Sequence, residues 1–178
     1  PRLEELVRQE IRSNLGTIKP QVSYSGAACG SDIIFLEEML KLKAEVNIFL
    51  PFSKENFIDQ SVKFAGGKWI ERFNNVIDKA NTKSVTTEPF LRDNCLFAFG
   101  GTIFQGYGRL RALREDSEPI LLTVWDQVES EEKGGTHFIK KNWPKDNKSI
   151  SINLKELLKV SPSCDTDPKQ EDQQVSLE

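Results

Sequence analysis

The chain has 178 residues, of which 38% are hydrophobic and eleven are phenylalanine, which is enough for one buried core and favours a single domain. Its formal charge of -3 comes from residues 159–178, and the near-neutral remainder lacks the dense basic face that nucleic-acid binding requires. Apolar runs fall short of the roughly 18 residues that span a bilayer, the N-terminus has no signal-peptide pattern, and three widely spaced cysteines suggest free thiols, so a cytoplasmic protein without membrane contact is expected.

Hydrophobic spacing predicts helices that alternate with strands. The first element is an amphipathic helix, and the strands include a nearly continuous apolar run at 119–125, which is typical of a central strand in a parallel sheet. Helices are predicted from 3 to near 14–16, then at 31–40, 52–63, 69–77, 91–114, 138–139 and 154–158, and strands at 21–24, 45–50, 84–87, 119–125 and 149–152.

This alternation predicts a three-layer α/β fold of the Rossmann-like kind, with a mostly parallel, doubly wound sheet. The folded domain is expected to cover residues 1–158, and the acidic segment 159–178 is expected to be disordered because it has little apolar surface to bury. Since the chain opens on a helix, a first strand upstream of Pro1 in a longer protein is left open. Ligands of such sheets bind at the carboxyl ends of the strands.

The first loop that could bind a ligand is residues 25–32 (SGAACGSD), which follows a strand and opens a helix. Free N–H groups at a helix N-terminus favour an anion, so Gly26, Gly30 and Ser31 are candidates for a phosphate or ribose cradle. The alternative is a tight turn in which Ser31 or Asp32 only caps the helix. The Gly-x-Gly-x-x-Gly dinucleotide fingerprint is absent.

The second loop, residues 126–136, leaves the end of the apolar strand and brings Gly134, Gly135 and Thr136 to a helix start. Asp126 is placed to accept hydrogen bonds from ribose hydroxyls, although an aspartate there equally often caps a turn. Trp125 is a candidate for stacking a base, with a core tryptophan as the more frequent alternative.

Other motifs give weaker indications. Residues 101–106 have the glycine spacing of a phosphate-binding P-loop, but Tyr107 and Gly108 stand where lysine and serine or threonine are required, which argues against a triphosphatase. His137 is the only histidine, so no metal site and no metal cofactor are expected. Cys29 has no histidine near it in sequence to activate a thiol. Glu37 and Glu38 are either reacting carboxylates or a solvated helix face.

Residues 25–32, the following apolar helix and residues 45–52 (EVNIFLPF) together resemble the SLOG superfamily, which includes DNA-processing protein A and LOG-type Rossmann-like folds. Trp125-Asp126, an acidic loop and Gly134-Gly135-Thr136 are similar to the second signature of that group. The resemblance spans roughly residues 19–158. It is nearest to the module found beside bacterial class III nucleotide cyclases or tetratricopeptide repeats.

The resemblance implies a sensor of nucleotide-derived ligands that acts on a fused or associated effector domain, with no cofactor and with a homodimer left open. It implies a pocket with the following residues: Ser25, Gly26, Ala27, Gly30, Ser31, Asp32, Pro51, Phe52, Trp125, Asp126, Gly134, Gly135 and Thr136. Members that cleave nucleoside monophosphates carry a Pro-Gly-Gly-x-Gly-Thr-x-x-Glu pattern, from which residues 132–139 (EKGGTHFI) depart. No catalytic residue is therefore assigned. The rival hypothesis is a nucleoside or nucleotide N-glycosidase or deoxyribosyltransferase that uses Glu37 or Glu38, with Asp126 on ribose.

Overall fold

A computed structural model describes residues 2–90, 92–129 and 134–159. The predicted disordered segment therefore lies, apart from Lys159, outside the described residues. The helices are α1 (Arg2–Ile18), α2 (Ser31–Lys41), α3 (Lys54–Ser61), α4 (Gly67–Ile77), α5 (Cys95–Arg114), α6 (Thr136–Lys141) and α7 (Leu154–Lys159), with a 3-10 turn at Lys63–Ala65. The strands are β1 (Val22–Ser25), β2 (Glu45–Leu50), β3 (Asn81–Ser84), β4 (Leu121–Trp125) and β5 (Ser149–Asn153).

The described strands form two sheets, and every pairing in them is parallel. One sheet has the order β1-β2-β3, and the other pairs β4 with β5. Val22 lies opposite Glu45 in the first sheet, and Leu121 lies opposite Ser149 in the second. Helices alternate with these strands along the chain, so the predicted α/β, Rossmann-like class is confirmed.

The main core lies between the first sheet and its helices. α1 and α2 pack against each other, and α4 packs against α2. Each of these helices buries an apolar stripe at three- and four-residue spacing, as the sequence pattern predicts. The fully buried members include Ile11 of α1, Leu36 and Met39 of α2, Ile48 of β2 and Phe73 of α4.

A cluster of phenylalanines fills the space beyond the carboxyl end of β2. Phe52 is fully buried there, and its ring centre lies 5.2 Å from that of Phe97 and 5.7 Å from that of Phe90. Phe57 and Phe73 continue the cluster with ring centres 5.8 Å apart. The edge contact of Phe52 with Phe97 fixes the start of α5 against the loop that follows β2.

Several boundaries differ from the predictions. α1 continues past Gly16 to Ile18, and Gly16 lies on an exposed turn within the helix rather than at its end. The helix ends where Lys19 adopts a positive φ of 52°. β3 lies at Asn81–Ser84 rather than at 84–87, because this polar edge strand is defined by pairing with β2 rather than by its own apolar residues. Helix α5 begins only at Cys95.

The placement of β4 also differs from the prediction of a central strand. Within the described residues it pairs on one side with β5 and has no strand on the other. Its apolar character instead matches partial or full burial of its side chains, with Leu121 and Thr123 buried. The unpaired side of β4 borders the cleft described next.

Candidate functional site

A cleft of about 940 Å³ separates the two sheets. β1 borders it from one sheet and β4 from the other, while α1 and α5 supply much of the remaining wall. Seven of the residues predicted for the pocket border the cleft at the carboxyl ends of the strands, and all of them except Pro51 belong to the two glycine loops: Ser25, Gly26, Ser31, Asp32, Pro51, Gly134 and Thr136. The structure thus brings together two loops that are separated by about a hundred residues of sequence.

Other residues predicted for the pocket do not border the cleft. Ala27 and Phe52 are fully buried in the core. The remaining members lie within the loops or, for Trp125, directly before one, and they do not line the cleft: Gly30, Trp125, Asp126 and Gly135.

The first loop is held by backbone contacts. Gly30 is the N-cap residue of α2, with a φ of +100° that L side chains rarely adopt, and its carbonyl accepts from the Ile34 N–H at 3.1 Å. The Cys29 N–H donates to the Ser61 carbonyl at 2.9 Å, which ties the loop to α3. No side chain caps α2, so the prediction that Ser31 or Asp32 is the N-cap is wrong, because the glycine occupies that position.

Asp32 turns back into the loop instead of capping its helix. One of its oxygens, Oδ2, accepts a hydrogen bond from the Ala28 N–H at 3.2 Å and lies against Gly26. Burial raises the pKa of Asp32 to about 6, although the Ala28 hydrogen bond opposes this shift. Asp32 therefore places a carboxyl group that titrates near neutrality beside the open N-terminus of α2.

The second loop is anchored to the first turn of α5. Gly134 has a φ of +87°, and a Cβ at this position would overlap that of Phe97 and lie 2.8 Å from the Ala98 nitrogen. Gly135 meets no such obstacle and is the N-cap residue of α6. Gly134 is thus the residue that allows the end of this loop to contact α5, with Thr136 at the cleft.

Trp125 and Asp126 lie beside this loop. The Trp125 ring is parallel to that of His137, with centres 6.0 Å apart, and the Lys140 ammonium lies 5.3 Å from the Trp125 ring centre. The carboxylate of Asp126 accepts from the Val128 N–H at 3.0 Å on the exposed surface, which is the turn-capping alternative. Neither residue contacts the first loop by a described hydrogen bond or ring contact.

The glutamates of α2 belong to an ion-pair cluster on a different part of the molecule. Glu37 accepts from Arg8 and Arg72, at 2.8 and 2.7 Å, while Glu38 accepts from Arg8, Arg12 and Lys41 at 2.7–3.0 Å. Burial opposes the ionisation of both carboxyls, but these cations outweigh it, lowering the pKa of Glu37 and bringing that of Glu38 to about 2. Neither glutamate borders the cleft.

Residues of α5 that border the cleft had no functional prediction. Gly100 and Gly101 lie against Pro51 and Ile139, and Gln105, which is buried, donates to the Ile139 carbonyl at 2.8 Å. The glycine-rich sequence of α5 is the available signal, because glycine lets neighbouring segments approach a helix closely. The two thiols within the described residues, Cys29 and Cys95, are free, and burial, reinforced by Asp32, raises the pKa of Cys29.

The described residues contain no group of three or more histidine, cysteine, aspartate or glutamate side chains arranged to hold a metal ion. Among the described helices, none combines the length and the apolar character needed to cross a membrane.

The sequence was also compared with known proteins. Neither the protein-family models nor the curated proteins contain a match to it. The assignment of function consequently depends on the geometry of the cleft.

Proposed function

We propose that the chain is a regulatory domain that binds a nucleotide or a nucleotide-derived small molecule at the carboxyl end of β1. The observation that carries the proposal is the convergence of the first and second glycine loops on one cleft, at the carboxyl ends of parallel strands. Ligands of open α/β sheets bind in this position, where helix N-termini supply N–H donors.

The charges around the cleft narrow the class of ligand. Asp32 is the only ionisable side chain among the predicted pocket residues that border the cleft. The basic residues along the described lining are Lys19 and Arg111; Lys19 precedes the amino end of β1, and Arg111 pairs with Glu45 at 3.1 Å. Among the described lining residues no cation lies at the carboxyl end of the cleft, so a nucleoside or a monophosphate fits these residues better than a triphosphate does.

Asp32 has a defined part in this proposal. As a carboxylate it would accept hydrogen bonds from ribose hydroxyl groups, while the N–H groups of the first turn of α2 face the anionic or polar remainder of the ligand. A ligand that needs ionised Asp32 should bind more tightly above pH 6 than below it, because the pKa of Asp32 is about 6. A phosphate placed directly against Asp32 would show the opposite dependence.

The rival enzyme hypothesis has no comparable support. Its proposed reacting carboxylates, Glu37 and Glu38, are held by cations away from the cleft, and Asp126 caps an exposed turn. A binding role is therefore preferred to an enzyme. That the domain acts on a fused or associated effector in a larger cytoplasmic signalling protein is the part of the proposal that the SLOG resemblance implies.

A thermal-shift screen tests the proposal. Nucleosides, monophosphates and triphosphates of each base are added to the 178-residue chain, and a ligand at 100 times its Kd should stabilise the fold by about 2.7 kcal/mol. Stronger shifts are expected for nucleosides or monophosphates than for triphosphates. Ser31→Tyr, which fills the mouth of the cleft, should abolish the shift, whereas Glu10→Gln on exposed α1 surface should retain it. Failure of every compound to shift the wild-type chain would contradict the proposal.

A further inference from the structure

The edge of β1 at the cleft carries unpaired backbone groups. In the β1-β2 ladder the Glu45 N–H donates to the Gln21 carbonyl at 2.8 Å, and Val22 lies opposite Glu45. Parallel strands direct alternate residues to opposite neighbours, so Ser23 faces β2 while Val22 and Tyr24 direct their N–H and C=O groups to the other side. Within the described residues no strand lies on that side.

The edge of β4 repeats this arrangement. The Leu121 N–H donates to the Lys148 carbonyl at 3.0 Å, and Leu121 lies opposite Ser149. By the same alternation Leu121 and Thr123 face β5, while Leu122 and Val124 direct their backbone groups away from it. Both edges border the same cleft, so two rows of backbone donors and acceptors line it.

The cleft also contains a buried polar atom without a partner. Ser23 borders the cleft and is 7% exposed, and its Oγ makes no hydrogen bond in the structure. Much of the surrounding wall is apolar, with Leu15 of α1, Phe104 of α5 and Ile139 of α6 among its residues. Along the two strand edges, behind the glycine loops, an apolar peptide with its own N–H and C=O groups matches this combination better than a polar solute does.

The helices indicate which polypeptide segment fits. α2 links β1 to β2, which lies next to β1 on the side away from the cleft, and α1 packs directly against α2. A strand in the cleft followed by α1 and then β1 would repeat the β1-α2-β2 unit in the same direction and on the same face. Its crossover would therefore have the same hand as that of its neighbour, as parallel sheets require.

We propose that the cleft is the seat of one further β-strand, an extended apolar segment joined ahead of α1 that runs parallel to β1 and β4. It would bond to both edges and unite the two sheets in the order β3-β2-β1-inserted strand-β4-β5. Such a strand is covered on both faces, so Val and Ile rather than an alternating pattern suit it. Its carboxyl end would reach the glycine loops, which leaves the mouth of the cleft open to a small molecule.

Amide hydrogen exchange of the 178-residue chain, measured by NMR, provides the first test. The amides of Tyr24 and Val124 should exchange much faster than those of Ser23 and Thr123, which are bonded within the ladders. Equal protection of all four would show that the two edges already pair with each other, and would overturn the proposal. So would protection of Tyr24 and Val124 that grows with protein concentration, because a second copy would then occupy the edges.

In a second form of the protein, an extension added at the N-terminus supplies the strand itself. The extension consists of about five Val and Ile residues, the usual strand length, and a short Gly/Ser loop that leads into α1. Tyr24 and Val124 should become as protected as Ser23 and Thr123, both at once, and the melting temperature should rise. A matched extension in which proline replaces every Val and Ile has no N–H to donate to either edge, so it cannot form the two ladders and should do neither.

The same peptide added in trans gives a readout if the extended chain fails to fold. Protection of both edges by the Val/Ile peptide, and not by the proline peptide, supports the proposal. Protection of neither edge, or of one edge alone, by both extension and peptide overturns it. No nucleotide is present in either experiment, so this result is independent of the ligand screen.

Discussion

Burial opposes the ionisation of the Asp32 carboxyl group, so the ionised form of this group lowers the stability of the folded protein. Its pKa in the folded protein is about 6, above the ordinary value of 3.8, so the folded state binds the proton more tightly than the unfolded state does. Folding free energy is therefore lost as the pH rises from about 4 to 6 and stays lost above that range, by up to about 3 kcal/mol.

Asp32→Asn should remove this loss. The amide oxygen still accepts the Ala28 N–H, so the variant is expected to exceed the wild type by about 2 kcal/mol at neutral pH, with the difference vanishing near pH 4. Urea unfolding at both pH values measures the effect, and exposed Asp146→Asn is the matched control. Lower stability of the Asp32 variant at neutral pH would contradict the prediction. If Asp32 also accepts ribose hydroxyls, the stabilised variant should bind ligand more weakly, which the thermal-shift screen would detect.

The two adjacent glycines of the second loop offer a matched pair. Gly134→Ala introduces a Cβ at positive φ against the backbone of α5, so a destabilisation of at least about 2 kcal/mol is expected. Gly135→Ala has extended backbone and open space, so it should stay within about 0.5 kcal/mol of the wild type. Urea midpoints of the two variants give the comparison. Equal destabilisation would show that Gly134 does not rest on α5 as described.

At the scale of elements, α1, α2 and α4 are joined by the ion-pair cluster around Glu37 and Glu38. Arg8 and Arg72 both also bond to Glu4, so the cluster links all three helices. The side chain of Glu38 is 4% exposed and accepts from three cations, whereas Arg12 and Lys41 are more than half exposed. Partial exposure of the cations reduces the strength of each pair, and Arg8 would keep Glu37 and Glu4 if the Glu38 charge were lost. Loss of that charge would nevertheless remove the one buried acceptor that Arg8, Arg12 and Lys41 share.

Glu38→Gln is therefore expected to destabilise the fold by about 2 kcal/mol at neutral pH. Because the folded-state pKa of Glu38 is about 2, below its ordinary 4.5, this contribution is present above pH 4.5 and is lost as the pH falls toward 2. Denaturation at pH 7 and near pH 2.5 should show the difference between variant and wild type shrinking. Glu10→Gln on the exposed face of α1 is the control. A pH-independent difference would mean that shape rather than charge is responsible.

Elements with a strong local pattern were predictable from sequence. β2 lies at the predicted residues 45–50, where β-branched and aromatic residues precede Pro51, and α2 follows the glycine loop. β3 was misplaced because its residues are polar and only pairing with β2 defines them. The ion-pair cluster was not predictable in this way, since the ion pairs that link its three helices join residues 26 to 68 apart in sequence.

For the whole molecule, alternation of helices and strands was sufficient to predict a parallel α/β fold, and the strand-end rule placed both glycine loops at one edge. The cleft itself was not predictable, because periodicity does not state which strand edges are paired. The apolar sequence of β4 indicated burial, and burial was interpreted as a central position. In the structure that strand has one paired edge and one edge at the cleft.

The two sheets differ in how many buried side chains hold them, so local unfolding should affect them differently. The first sheet and its helices hold most of the fully buried side chains, whereas the second sheet contributes Ile152 to the main core. Contacts of α1 with β5 and α7, and of α5 with α6, connect the two parts around the cleft. Local opening is favoured where few buried apolar contacts must be broken.

Native-state hydrogen exchange in low urea should resolve two units. The Asn47 amide, bonded across the β1-β2 ladder, should exchange only through global unfolding, with a steep urea dependence. The Ile150 amide, which faces β4 in the second ladder, should exchange through a smaller opening with a shallow dependence, because detaching β4 and β5 exposes less surface. The two dependences should converge once urea makes global unfolding the easier route. If they coincide from the lowest urea concentration, the contacts around the cleft are strong enough to make both sheets one cooperative unit.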